Sequence, residues 1–470
     1  MTSFNHIKRT LLRCCMPALA VAMLTGCSKN WLDIKPEKSQ AIPSKLSDYA
    51  ALLNNTAQTN SNLLAIGELA GDGHFVTDAV YAATTTAPAL NAYTWSQLTV
   101  LQNQAGYNDI YTRIFFLNVV LDGLNKLSVA TEPERKELAA LKARANFHKA
   151  YSYYWLSQLY AQPYQAATAA TDQGIIVQDD IDFRENARRI TVAETYKTII
   201  DMLKEALPNL PVQTPHVTQP GQAAAHALLA RVYLIMQQYE DALASAASSL
   251  NQQSTLLDFS TLPTNRFFVG AFNTEVLYHD EMGSNEMNNL HSSNSLVDPA
   301  IYNSLAADDL RKVIFFTQNT TTGNITFKGN YNNSNWQLFG GIATDEVYLI
   351  RAEAYARTGD ATSAMKDLND LLRSRWAKDV NGNTLFTDLT AADAEEALDL
   401  VLAERKKELM YRGLRWSDLR RLNLEPARAI TLTRTVSGKT YTLEPNNYRY
   451  SFPLPTNALE LGGHLQTTGW

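Results

Sequence analysis

Apolar positions along this chain recur mostly with helical spacing, and two long blocks break that spacing. After Ser44, Leu46, Tyr49, Ala50 and Leu53 fall on one helical face. The pattern returns over residues 107–127 and again over 132–159, where Phe147, Tyr151 and Tyr154 share a face at i, i+4, i+7. Thr191 and Glu194 have capping-box spacing ahead of a periodic run that ends at Leu207-Pro208. Residues 222–250 read as two helices broken near Gln238, 345–375 as strongly helical, and Thr390 as the start of the last long helix, through Leu409. Asn381-Gly382 and Ser437-Gly438 predict small hairpins, and Pro453 and Pro455 an extended C-terminus. Residues 54–100 are rich in Asn, Thr, Ala and Gly, with Gly71, Gly73 and Pro88 as breakers. Residues 255–344 are polar and Asn-rich, with Phe267, Phe268, Tyr278, Tyr331 and Trp336 among them. Both blocks are expected to be loops with little regular structure.

An internal repeat organises the helical part. Ala230, Tyr233, Ala242 and Leu250 match Ala352, Tyr355, Ala364 and Leu372 at a constant offset of 122. Each unit reads helix–turn–helix, with Ala where two helices approach closely and Tyr in the groove, which is the tetratricopeptide pattern. The units are separated by a loop-rich insertion, so the fold class expected is mainly α: a helical scaffold whose loops carry function.

The N-terminus is of another kind. Lys8, Arg9 and Arg13 precede a short apolar stretch, Cys14 to Leu24, and no acid occurs before Asp33. Leu24-Thr25-Gly26-Cys27 follows, so residues 1–26 read as a secretory signal of the bacterial lipoprotein type, cut before Cys27, whose thiol would carry lipid. Cysteines occupy only positions 14, 15 and 27, so the mature chain would have neither a disulfide nor a cysteine-ligated zinc. Residues 27–43 then serve as a tether and 27–470 as one domain.

Composition narrows the function classes. The chain has 470 residues, 45% hydrophobic and 19% charged, which is globular. Removing 1–26 leaves 38 Lys and Arg against 47 acids, a net charge of −9 rather than −6, with no basic run. Nucleic acid is therefore excluded as a partner. No Gly-rich phosphate loop, G-x-S-x-G or H-E-x-x-H occurs, so the motifs give no support to catalysis, and the chain is not expected to be an enzyme. His279-Asp280-Glu281 and Asp72-Gly73-His74 offer metal-type donors but read as solvated loop clusters, and no metal or cofactor is expected. His148 reads as a surface or interface histidine. Glu404 and Glu408, with Arg405, Arg412 and Arg415, are expected to form a structural ion-pair network around the last long helix.

Several segments taken in order resemble one family across nearly the whole mature chain. They are Cys27 followed by Trp31-Leu32-Asp33-Ile34-Lys35-Pro36, then residues 107–124, 143–154, 191–211, 227–239 and 348–359. The most specific is Glu404-Arg405-Lys406-Lys407-Glu408-Leu409 with Arg412-Gly413-Leu414-Arg415-Trp416, followed by Tyr450 to Pro455 and the terminal Gly469-Trp470. This series is similar to the SusD-like (RagB/SusD) outer-membrane nutrient-binding lipoproteins. It departs at Arg412, where the family usually has Glu, and at Tyr107, where it has Trp. The resemblance implies a lipid-anchored protein at the outer-membrane surface that caps a TonB-dependent (SusC-like) transporter and delivers an oligosaccharide or, in some relatives, a peptide. A tetratricopeptide-type assembly scaffold without a small ligand is the alternative from another class. The two irregular blocks, 54–100 and 260–344, would form the ligand side. Trp95, Trp336, Tyr81 and Tyr278 are the expected ligand-binding residues, because flat rings pack on the C–H faces of sugars while short polar side chains take the hydroxyls.

Overall fold

The computed structural model describes residues 43–85, 87–96, 105–182, 187–264, 269–283, 294–334 and 337–470. Cys27 and Trp336 lie outside the described residues. Lys45–Trp470 forms one compact, mainly helical unit with short two-stranded sheets.

The periodic segments fold as their spacing predicts. The helix Leu46–Leu53 buries Leu46, Tyr49 and Leu53. The helix Glu132–Tyr160 starts at a capping box between Thr131 and Glu134 and is buried along most of its second half. Phe147, Tyr151 and Tyr154 stack along it, with ring centroids 6.0 and 6.3 Å apart. Thr191 caps Val192–Ala206 through Glu194, and the hairpin Leu432–Val436/Lys439–Leu443 turns at Ser437 and Gly438, both at positive φ. The last long helix starts at Ala394 rather than near Thr390, because the Asp393 side chain accepts from the Glu396 amide and fixes the first turn there.

The repeat holds down to the backbone. Gln222–Ile235 pairs with Tyr239–Gln252, and Thr344–Arg357 with Ala361–Arg373. Ala230, Ala242, Ala352 and Ala364 are all fully buried at the helix contacts. Both turns pass through one residue at positive φ, Gln237 at 58° and Gly359 at 91°, which are equivalent positions. In both, the next amide returns to the Tyr carbonyl: Gln238 to Tyr233 and Asp360 to Tyr355, each 2.9 Å. Arg231 of the first unit clamps Glu346 of the second with two 2.6 Å bonds, so the units are joined as well as alike.

The 54–100 block departs from expectation. It contains the short helices Thr56–Thr59, Ile66–Ala70, Asp78–Ala83 and Ala87–Thr94. Leu63, Leu64, Ile66 and Leu69 are buried in the main core, so packing rather than local propensity orders this segment. The second block contributes a core strand, Val276–Tyr278, paired with Ile342–Ala343.

Charge also lies inside. Arg375 bonds Glu408 at 2.7 Å and Glu275 at 2.8 Å, and Arg311 bonds Asp309, Glu404 and Glu408 at 2.6, 2.7 and 3.1 Å. Arg412 holds Asp345 at 2.8 Å and lies 3.9 Å above the Tyr331 ring. The expected ion-pair network is therefore present, with different partners. Glu404 and Glu408 are held by arginines from distant segments, while Arg405 pairs with Asp418 and Arg415 with Asp72. Three further buried arginines lie against carbonyls rather than carboxylates. Arg144 donates to Leu53 O, Arg420 to Ser157 O and Gln158 O, and Arg434 to Leu69 O, Gly71 O and Tyr93 O. Each covers carbonyls left over at a helix C-terminus, and burial lowers each guanidinium to about 10.

Candidate functional site

Three segments distant in sequence meet at a cleft of about 630 Å³. Residues 56–62 form one side, 216–218 another, and 279–281 the floor. Asn60 fastens them: its side-chain amide donates to Thr218 O at 3.0 Å and to His279 O at 2.7 Å. The backbone bonds His279 N to Val217 O and Leu63 N to Glu281 O complete the floor. Positions for a ligand are thus set by several segments bonded to one another rather than by a single loop.

Phe272 stands over this cleft. It is 48% exposed, and its φ is +58°, a region a bulky residue seldom occupies. Its ring lies edge-on to two imidazoles, His216 at 4.6 Å and His279 at 4.7 Å. Asn62, also on the cleft, is at φ +61°. Strained backbone of this kind persists where the surroundings enforce it and gathers at functional sites. His279 Nε2 donates to Asn332 Oδ1 at 3.0 Å, and burial lowers its pKa to about 4, so the ring is neutral near pH 7. Burial raises the pKa of the Glu281 carboxyl. One flat apolar ring beside amide, hydroxyl, imidazole and carboxylate groups is an arrangement suited to a hydroxyl-rich ligand.

Of the expected ligand residues, Tyr278, Trp95 and Tyr81 do not line this cleft, and Trp336 lies outside the described residues. Tyr278 is wholly buried: its hydroxyl contacts His148 Nδ1 at 2.9 Å and Asp280 at 3.2 Å, and its ring meets Phe147 edge-on at 4.9 Å. It is a core residue and no ligand can stack on it. His148 is buried beside it, not on the surface. Trp95 is 4% exposed. Its indole N–H donates to Ala70 O at 3.0 Å, and Arg434 covers its ring at 4.8 Å. It borders a second cleft of about 360 Å³, where Arg434 is engaged by three carbonyls and Asp72 by Arg415 and Lys406, while neither ring nitrogen of the buried His74 has a hydrogen-bond partner. Tyr81 is half-buried against Tyr93, 6.1 Å away. Asp280, weighed as a metal donor, is bound to Arg113 at 2.8 Å. Among the described residues no group of three His, Cys, Asp or Glu is placed to hold a metal.

Phe272, His216 and Asn62 were not singled out in the sequence. Nothing local distinguishes Phe272 from Phe267 or Tyr278 except the small residues Gly270 and Ala271 before it and Asn273 after it, a turn-forming context.

Comparison with known proteins agrees with the fold. A family model described as starch-binding, associating with the outer membrane, matches residues 30–234, and the SusD family model matches residues 342–470. SusD-like protein P38 of Formosa agariphila is 32% identical over 95 residues, which covers 20% of this chain and 18% of that protein. The crystal structure of a SusD superfamily protein from Bacteroides vulgatus superposes with a TM-score of 0.72 at 20% identity, covering 91% of this chain and 100% of that one. Surface glycan-binding protein A from Bacteroides fluxus gives a TM-score of 0.66 at 15% identity, with 91% and 100% covered. At these identities the structural likeness fixes the fold alone. With the two family models together spanning residues 30–234 and 342–470, the chain belongs to the SusD-like (RagB/SusD) family.

Proposed function

We propose that this chain captures an oligomeric glycan in the cleft beneath Phe272 and passes it to a TonB-dependent transporter, held at the outer-membrane surface by lipid on Cys27. The observation that carries the binding site is Phe272 itself, a large apolar ring kept in solvent at positive φ over a polar cleft. The family supplies the carbohydrate class, and a structural neighbour is named as surface glycan-binding. The Leu24-Thr25-Gly26-Cys27 sequence supplies the anchor. Among the described residues no helix is long and apolar enough to cross a membrane. Trp336 directly precedes Gln337, a cleft residue, and is proposed as a second stacking ring. The protein acts by binding, without catalysis.

The test has two arms. Purified residues 28–470 are run through native gels containing polysaccharides of different backbone, and a retarded band is expected with at least one. Full-length protein crosslinked on cells is purified in mild detergent, and a co-purifying β-barrel of the TonB-dependent class is expected. A protein retarded by no glycan, or one that purifies alone after crosslinking, contradicts the corresponding half of the proposal.

A further inference from the structure

The cleft also carries information on which glycans it can accept. None of the described residues lining it is Lys or Arg. The two imidazoles aside, Glu281 is the one ionisable side chain there, and His279 is held neutral near pH 7 by its burial. Arg113, which donates to the carbonyl of the lining residue Ser61, is already used: it bonds Asp280 at 2.8 and 3.0 Å. A sulfate or a uronate is held most strongly by a cation or a fork of charged donors. Here an anionic group would instead be brought against the Glu281 carboxyl. Asn62, Thr218 and Gln337 instead supply amide and hydroxyl chemistry, and Glu281 a strong acceptor for sugar hydroxyls.

From this juxtaposition we infer that the cleft selects uncharged, hydroxyl-rich glycans and rejects sulfated and uronic-acid ones, Glu281 being the discriminating residue. The inference rests on the reading of the Phe272 cleft as the glycan site.

The experiment measures binding of wild type, Phe272→Ala, Glu281→Gln and Glu281→Lys to paired polymers of one backbone, neutral and charged: dextran with dextran sulfate, and unsubstituted xylan with glucuronoxylan. In whichever pair is bound, the neutral member should bind at least tenfold more tightly. Glu281→Lys should narrow or invert that gap, and raising salt should narrow it too. Glu281→Gln, nearly isosteric, keeps the test informative if the lysine variant fails to fold. A charged member bound as tightly as its neutral partner, with that binding lost in Phe272→Ala, overturns the selectivity and leaves the cleft assignment standing. Binding unaffected by Phe272→Ala, or no binding to either member of any pair, overturns the cleft assignment and the selectivity with it.

Discussion

Phe272 and Tyr278 lie on one short segment of the second irregular block and have opposite fates. Tyr278 is on a strand paired with Ile342–Ala343, its hydroxyl held by His148 and Asp280 and its ring among Phe147 and Tyr151. Phe272 precedes that strand, has no polar atom to satisfy, and remains nearly half exposed at a backbone angle that costs energy. The difference teaches that an aromatic residue in an irregular segment is not thereby a ligand residue. Rings with a polar handle are drawn inside when the handle finds a partner, as with Tyr278 and Trp95. Phe272, with no polar handle, stays nearly half outside.

The comparison breaks first on the interior side, where the largest effects belong. Arg375→Met would leave Glu275 without its ion partner and Glu408 with Arg311 alone, and should cost about 3–5 kcal/mol in chemical denaturation. Trp95→Ala removes a buried indole and its hydrogen bond and should cost a similar amount, about 3–5 kcal/mol. A Trp95→Ala protein of wild-type stability would show that this ring is not structural.

A smaller effect follows from Glu68, fully buried, which accepts from the Gly413 amide at 2.9 Å. Burial, with the nearby Asp72 charge adding to it, pushes its carboxyl up to about 7. Because the folded value lies above the unfolded one, the folded state holds the proton more tightly. That contribution is fully present below pH about 4.5 and is lost as pH rises through about 7. Stability should therefore fall from pH 5 to pH 8 by on the order of 2 kcal/mol, and Glu68→Gln should flatten the slope. Below pH about 4 a different set acts. Glu353, Glu404, Glu408 and Asp418 have lowered values set by their arginines, so acid removes their stabilisation. A slope unchanged in Glu68→Gln would assign the neutral-pH loss to other groups.

The paired helices offer a finer comparison. Gln237 and Gly359 occupy the same positive-φ turn, one with a side chain and one without. Gln237→Gly should stabilise slightly or be neutral, and Gly359→Ala should destabilise by about 1 kcal/mol. A loss in Gly359→Ala with none in Gln237→Gly would confirm that the two turns are one device used twice.

The helical scaffold was legible in the sequence because a helix that buries one face must repeat its apolar residues. The offset of 122 held from Ala230 and Ala352 down to the turn conformation. The ion pairs were legible as a network but not as pairs. Glu404 and Glu408 find Arg311 and Arg375 only once segments far apart in sequence pack together. The site was legible least. Residues 54–96 are polar enough to read as loop, yet Leu63, Leu64, Ile66 and Leu69 are core. Which ring faces outward depends on strand pairing between residues 276–278 and 342–343, which no local pattern encodes.

Phe272→Ala tests the central claim most directly, with binding and stability measured on the same preparation. Calorimetry with a glycan that retards the wild-type protein should show a loss of about 1–3 kcal/mol, roughly ten- to hundredfold in affinity, by analogy with base stacking. The unfolding midpoint should stay close to wild type, since the exposed side chain adds little to the core. Unchanged affinity would contradict the account, and so would a binding loss accompanied by global destabilisation, which would make Phe272 a structural residue like Tyr278.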